Sequence, residues 1–286
     1  MNRPFEKGQY RVAAFDLDGT LIDRFQPMPT AAVREALQKL GDSGVAVVVS
    51  SGRDRSQLVQ ELMDCFSYAV LTNGSVILDA KTGKTVWAKP LEPKLLYRVM
   101  KTVKECDGFS FLMQNGLVRG TRKGEKVVFG TMMKDAPKEK GKGNGYSAKS
   151  GRYTFLIQAA NRFSPPTYKV QAFFRNREDS LRAGEILREE KGLEVLSMYG
   201  TTLEITAAGV TKAAALDVLC SMLGTDRTAL VAFGDSRNDL EMLEAAGYAV
   251  VMENGEQCVK DIADRIAPHV SEDGAATAIR EMFELE

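Results

Sequence analysis

Two carboxylates, Asp16 and Asp18, stand at the end of the apolar run Ala13, Ala14 and Phe15, and Gly19 and Thr20 follow them. A second acidic pair, Asp235 and Asp239, follows another apolar run that ends at Phe233 and Gly234. If both runs are neighbouring parallel strands, four carboxylates converge at their carboxyl ends, where open α/β sheets bind ligands. Such a cluster is costly unless a cation occupies it. All-oxygen ligation with few protein donors and room for water suits Mg²⁺ better than zinc.

Two further positions point to phosphate. Ser51, Gly52 and Arg53 follow a third apolar run, so a hydroxyl, a flexible backbone and a cation end in the same layer. Lys212 opens a helical stretch after Gly209, Val210 and Thr211, where a cation and helix N–H groups can meet an anion. A metal, a lysine, a hydroxyl and backbone donors are what a transferring phosphoryl group needs around its equatorial oxygens. Each position also has a plainer reading. Asp235 and Asp239 can serve as cap and first-turn acid of a helix, Ser51 as a turn residue, and Lys212 as a surface lysine. Arg53 either meets substrate or pairs with an acid such as Asp54 or Asp79. His269, the only histidine, follows Pro268 and reads as structural, which weakens any Ser-His-Asp scheme.

The elements that would position these groups alternate between strand and helix. Residues 11–15, 45–49 and 68–71 read as strands, and 30–40 and 54–63 as helices. The pattern resumes late, with strands at 228–233 and 248–251 and helices at 212–223, 238–246, 256–263 and 274–283. Short β-branched runs between helices mark parallel strands covered on both faces.

The middle third differs. A helix is expected at 91–106, then strands at 109–114 and 117–121 joined by Asn115 and Gly116, a strong hairpin signal. Further strands are expected at 127–129, 153–159, 168–175, 193–199 and 202–206, with a helix at 179–190. Hairpin-linked strands with segregated helices suggest an antiparallel α+β unit inserted into the α/β domain. The Lys- and Gly-rich stretch 134–152 reads as a solvated loop, with phosphate gathering as the alternative. The expected division is a core of residues 1–83 and 205–286 and an insert of residues 84–204.

Composition narrows the class. The chain has 286 residues, 44% hydrophobic and 27% charged, with Lys+Arg and Asp+Glu balanced at 38 each. No global basic field draws it to nucleic acid, and no apolar run is long enough to span a bilayer. Four cysteines without a Cys-x-x-Cys fit buried free thiols. A cytoplasmic enzyme or binding protein, monomeric or homodimeric, is the expectation.

Taken together, Asp16 to Thr20, Ser51 to Arg53, Lys212, and Gly234 to Asp239 resemble in order the four motifs of the haloacid dehalogenase superfamily of phosphohydrolases. The resemblance is closest to its Cof-type branch, and Asn73 to Ser75, Gly209 to Lys212, Val251 to Gly255, and Asp273 with Gly274 look like further marks of it. Two departures stand out: Ser51 replaces a common threonine but keeps the hydroxyl, and Glu253 stands where the branch usually has glycine. The resemblance implies a doubly wound, Rossmann-like core with an α+β cap inserted between motifs two and three. It implies that Asp16 attacks phosphorus, that Asp18 protonates the leaving oxygen and then activates water, and that Ser51 and Lys212 hold the phosphoryl oxygens. Asp16, Asp235 and the backbone carbonyl of Asp18 would bind Mg²⁺; Asp239 would orient a metal-bound water, and Asn238 would brace the loop or Lys212. Small phosphorylated metabolites, sugar phosphates first, are the implied substrates. A phosphomutase of similar architecture needs the same aspartates, and an idle phosphometabolite-binding protein needs no nucleophile.

Overall fold

The structure, a computed structural model, describes residues 4–23, 26, 28–120, 165–198 and 200–285. The strands expected at 127–129 and 153–159, the loop at 134–152 and the end of the strand expected at 117–121 lie outside these residues.

In chain order the first strands are β1 (Val12–Phe15), β2 (Ala46–Ser50), β3 (Tyr68–Leu71), β4 (Val76–Asp79) and β5 (Thr85–Ala88). The middle of the chain adds β6 (Phe109–Met113), β7 (Val118–Arg119), β8 (Lys169–Phe173), β9 (Leu193–Met198) and β10 (Thr202–Ala207). Last come β11 (Leu230–Gly234), β12 (Tyr248–Met252) and β13 (Arg265–Ala267). The chain forms two compact units: residues 1–53, 58–87 and 211–286, and residues 54–57 and 88–210.

The first unit holds a sheet of order β13-β12-β11-β1-β2-β3-β4-β5. From β13 to β3 every pair is parallel, and β4 runs antiparallel to β3. Side chains alternate across it as a pleated strand requires. Val12, Ala14, Val48, Val70 and Ala232 meet Leu216, Leu219, Met242 and Leu243 from the helices Lys212–Met222 and Leu240–Ala245. Ala13, Phe15, Val47 and Val49 face the other way and are as fully buried. That is the doubly wound α/β arrangement, with a core on each face. Helix Ala31–Asp42 shows the local logic: the Thr30 hydroxyl accepts from Val33 N–H at 3.2 Å, and Val33, Ala36, Leu37 and Leu40 form its buried stripe.

Four elements depart from the sequence reading. The helix expected over 54–63 is a 3₁₀ turn, Arg55–Gln57, followed by a one-turn helix, Gln60–Met63. Asp54 causes the break: its carboxylate accepts from Ser56 N–H and Oγ, and Gln57 Oε1 accepts from Asp54 N–H. Such local side-chain bonds compete with the helical ladder. Strands β4 and β5 were not expected; they extend the sheet past β3. Strand β13 is likewise additional, at the opposite edge.

The second unit is an antiparallel sheet of order β7-β6-β8-β10-β9. Helices Pro93–Glu105 and Arg177–Arg188 supply Leu96, Val99, Val103, Ala183 and Leu187 to a core with Val170, Ala172, Leu203 and Ile205. Asn115 and Gly116 take φ of 53° and 104° at the β6–β7 hairpin, as a two-residue primed turn demands. Across the opposite side of the sheet runs a buried ion pair, Lys169 Nζ to Glu204 Oε1 at 2.8 Å.

Candidate active site

Strands β1 and β11 are parallel neighbours with Phe15 opposite Phe233, and the two rings stack at 4.4 Å. Asp16 N–H continues the ladder by donating to Phe233 O at 2.9 Å. Asp16 and Asp235 therefore leave adjacent strand ends. Connections diverge to either side of β1, and this is the crevice where such sheets bind ligands. The loops close on each other only because residue 19 is glycine. Gly19 has φ of 97°, and a Cβ there would lie 2.4 Å from Asp235 Oδ2. Thr20 Oγ1 donates to Asp235 Oδ1 at 3.0 Å, and Asn254 Nδ2 donates to Gly19 O at 2.8 Å.

Lys212 reaches this crevice from the first turn of helix Lys212–Met222, which Thr211 caps. Its buried ammonium lies 2.5 Å from Asp16 Oδ1 and 2.6 Å from Asp239 Oδ1. The other oxygen of Asp239 accepts from the N–H groups of Asp235 and Ser236, each at 3.1 Å. Asp239 is thus committed to one cation and two amides, whereas Asp235 still presents Oδ2. Burial and the neighbouring charges of Asp239 and Asp235 hold the Asp16 carboxyl well above the usual carboxylate range, against the pull of Lys212. Burial, and then Asp239, push Asp235 up to about 7. Burial alone would depress Lys212, but Asp16 and Asp239 outweigh it and raise its pKa.

Among the described residues, Asp16, Asp235 and Asp239 each offer a carboxylate oxygen within 4.8 Å of the others. One buried and one half-buried carboxyl group whose pKa is raised, with all-oxygen donors and one lysine, fit a hard divalent cation. Such an ion would offset the repulsion among them.

Asp18 is exposed and ion-paired: Arg53 donates from Nε to Oδ2 at 2.9 Å and from a terminal nitrogen to Oδ1 at 2.5 Å. Arg53 was expected to meet substrate or an acid such as Asp54 or Asp79; the acid it pairs with is Asp18, because β1 and β2 are parallel neighbours and both loops leave their carboxyl ends. Ser51 is buried and its Oγ accepts from Arg53 N–H at 3.2 Å, with half-buried Gly52 between them. Asn238 was expected to brace the loop or Lys212; its Oδ1 accepts from Ser236 Oγ at 2.5 Å, inside the loop itself. His269 is structural as read, its Nδ1 accepting from Ser271 N–H at 3.1 Å. Asn73 to Ser75 stood out as a mark of the resemblance, but the contacts of that turn were not foreseen. Thr72, Asn73 and Gly74 are left-handed in succession and touch both motif two and the residue before Lys212; non-glycine residues there cost about 1–3 kcal/mol each. The Asn-Gly pair was the available signal.

A family model described as haloacid dehalogenase-like hydrolase matches residues 13–279. The chain belongs to this family. Curated relatives of the haloacid dehalogenase-like chain include the 5-amino-6-(5-phospho-D-ribitylamino)uracil phosphatase YcsE of Bacillus subtilis, 28% identical over 274 residues and 94% of each chain. A phosphoglycolate phosphatase of Methanoculleus marisnigri is 30% identical over 270 residues, again 94% of each chain. A solved haloacid dehalogenase-like hydrolase from Bacteroides thetaiotaomicron shares the fold with TM-score 0.77 at 23% identity, covering 96% of this chain and 100% of that one. A subclass IIB sugar phosphatase aligns with TM-score 0.75 at 19% identity, over 95% of this chain and 98% of that one. This haloacid dehalogenase-like chain is an enzyme, a phosphoric monoester hydrolase. Among its described residues no helix is long and apolar enough to cross a membrane.

Proposed function

We propose that the chain is a Mg²⁺-dependent phosphatase of small phosphorylated metabolites, sugar phosphates first, working through an aspartyl-phosphate on Asp16. The observation that carries this reading is the Asp16 carboxyl beside Lys212 at 2.5 Å, with Asp235 leaving the adjoining strand. Asp16, Asp235 and the backbone carbonyl of Asp18 would hold Mg²⁺, which supplies positive charge to the phosphoryl oxygens and to Asp16.

The residues of the chain do the rest. A carboxylate oxygen of Asp16 attacks phosphorus in line, and the bond from phosphorus to the ester oxygen breaks. Asp18 gives its proton to that oxygen, so an alcohol departs. Arg53 holds both Asp18 oxygens in the resting protein, and one of them must be released before it can carry the proton. Asp18 then takes a proton from water, whose oxygen attacks the aspartyl-phosphate; inorganic phosphate leaves and Asp16 is regenerated. Lys212 and the Ser51 hydroxyl donate to the equatorial oxygens, where charge builds in both steps. Asp239 keeps Lys212 in place from the far side. The second unit we take as the cap, with substrate choice as its role. Relatives named for phosphoribityl and phosphoglycolate substrates support a small phosphorylated metabolite.

The test is phosphate release from a panel of phosphorylated sugars, nucleotides and cofactors, with and without Mg²⁺, beside Asp16→Ala. Mg²⁺-dependent release that Asp16→Ala abolishes is the expected result. Isomerised sugar phosphate with little free phosphate would replace this reading with a mutase.

A further inference from the structure

The turn that joins β3 to β4 carries φ of 51° at Thr72, 59° at Asn73 and 101° at Gly74. Leu71 and Val76 pair across it and Ser75 N–H donates to Thr72 O at 3.3 Å, so Asn73 and Gly74 form the centre of a two-residue hairpin turn, as Asn115 and Gly116 do. Such a turn requires positive φ at its two central residues, Asn73 and Gly74, but not at Thr72 before them. Thr72 is β-branched, the residue class that tolerates this region least. Reversing the chain therefore accounts for Asn73 and Gly74 but not for the left-handed backbone at Thr72.

The contacts of the turn do. Thr72 N–H donates to Arg53 O at 3.0 Å, and Asn73 N–H donates to Ser51 O at 3.2 Å. Left-handed backbone at both residues aims successive N–H groups at the two carbonyls that frame motif two. On its other side the turn abuts the residue before Lys212: a Cβ on Gly74 would lie 2.2 Å from Thr211 O. Thr72 and Asn73 are buried, at 1% and 8% exposure, and the Thr72 hydroxyl is spent on Leu71 O at 2.7 Å.

We propose that Thr72, Asn73 and Gly74 are positioning residues that set Ser51 and Lys212 relative to one another, and so shape the phosphate-binding half of the active site. The proposal rests on the phosphatase reading for the identity of the ligand. The metal-binding half is braced elsewhere, through Phe233 O, Thr20 and Asn254. Damage to the turn should thus weaken anion binding more than cation binding, which it reaches only through Lys212 and Asp16.

The experiment is calorimetric titration of the full chain with inorganic phosphate and, separately, with Mg²⁺ alone, for wild type, Gly74→Ala and Thr72→Gly. Gly74→Ala pushes a methyl against Thr211, and phosphate affinity should fall about tenfold or more, the scale of a misplaced binding group. Its Mg²⁺ affinity should fall less, because the turn reaches the cation ligands only through the contact of Lys212 with Asp16. Thr72→Gly adds no atom and lets the turn relax, so it tests the same claim where the bulkier variant fails to fold. Unchanged phosphate affinity in the folded variants would overturn the proposal. So would phosphate and Mg²⁺ affinities that fall together in step with Tm, since that marks a merely structural turn. Hydrolysis by the wild type is measured alongside. A wild type that binds phosphate but hydrolyses no ester defeats the phosphatase reading, while the variants' phosphate affinities still decide this one. A wild type that does not bind phosphate overturns both.

Discussion

Lys212 and Asp239 form a buried pair, with the ammonium 2.6 Å from one carboxylate oxygen and Asp16 at 2.5 Å on its other side. Side-chain exposure is 2% for the lysine and 0% for Asp239. One cation thus compensates two acids in a place where water cannot.

Replacing Lys212 with methionine leaves both acids buried without a counter-charge. The expected cost is about 3–5 kcal/mol of stability near neutral pH, the scale for breaking one partner of a buried pair. Urea unfolding measures it, and saturating Mg²⁺ should restore part of the loss. Phosphatase activity should fall at least about 10²-fold, as when a preorganised donor is removed. A variant of wild-type stability would show that the pair is not the compensation described.

Stability of the metal-free protein should decline as pH rises. Asp235 titrates near about 7 in the folded chain, and Asp16 is also raised, whereas an unfolded aspartate titrates at about 3.9. Between those values the folded state binds more protons than the unfolded one, so unfolding free energy falls with pH. The contribution is fully present below about pH 4 and lost through about 7. The rise in Tm on adding Mg²⁺ should accordingly be larger at alkaline than at acid pH. Thermal scans with and without Mg²⁺ across that range test the sign.

Gly19→Ala should damage the metal half of the site. The new methyl would sit 2.4 Å from Asp235 Oδ2, at a backbone φ of 97° that side chains resist. A loss of about 1–3 kcal/mol follows from the backbone alone, and Mg²⁺ affinity should weaken with it. Calorimetry with Mg²⁺ distinguishes this from a purely local strain that leaves the cation affinity untouched.

Arg53→Met should split substrates by leaving group. The pair is partly exposed, at 17% for Arg53 and 42% for Asp18, so its loss should cost less than about 1 kcal/mol of stability. Alkyl phosphates need a proton on the leaving oxygen, and positioned acids contribute about 10²–10⁴-fold. p-Nitrophenyl phosphate needs none. The variant should therefore lose far more kcat on a sugar phosphate than on p-nitrophenyl phosphate; equal losses would mean that Arg53 does not act through Asp18.

Much of this was legible in the chain before it folded. Strands buried on both faces leave continuous apolar runs, and the strand at 68–71 and the helix at 274–283 occupy the residues their pattern indicated. β4 was hidden because only four residues separate it from β3, with no helix between them to mark a new element. The acids and Lys212 stood out through their place beyond apolar runs. Their pairings did not. Lys212 meets Asp16 across 196 residues of sequence, and Arg53 meets Asp18 across 35. Those partners follow from strand order, which local pattern does not encode. The bonds of Asp54 that broke the expected helix were likewise a choice between side-chain and ladder partners that periodicity cannot weigh.

The central strand β1 has its two neighbours at very different distances along the chain: β2 comes soon after it, and β11 follows only after the second unit has been made. While the chain is being synthesised, β1 therefore presents one open hydrogen-bonding edge for the whole interval. Contacts of such long sequence separation close slowly, and exposed strand edges are where nascent chains aggregate. Asp16 sits at the end of β1, so the acidic cluster it joins cannot assemble until β11 and the loop after it have been made. A chain truncated before β11 would hold Asp16, Asp18, Ser51 and Lys212 without Asp235 or Asp239. Recovery of activity during refolding should then lag behind recovery of helical signal.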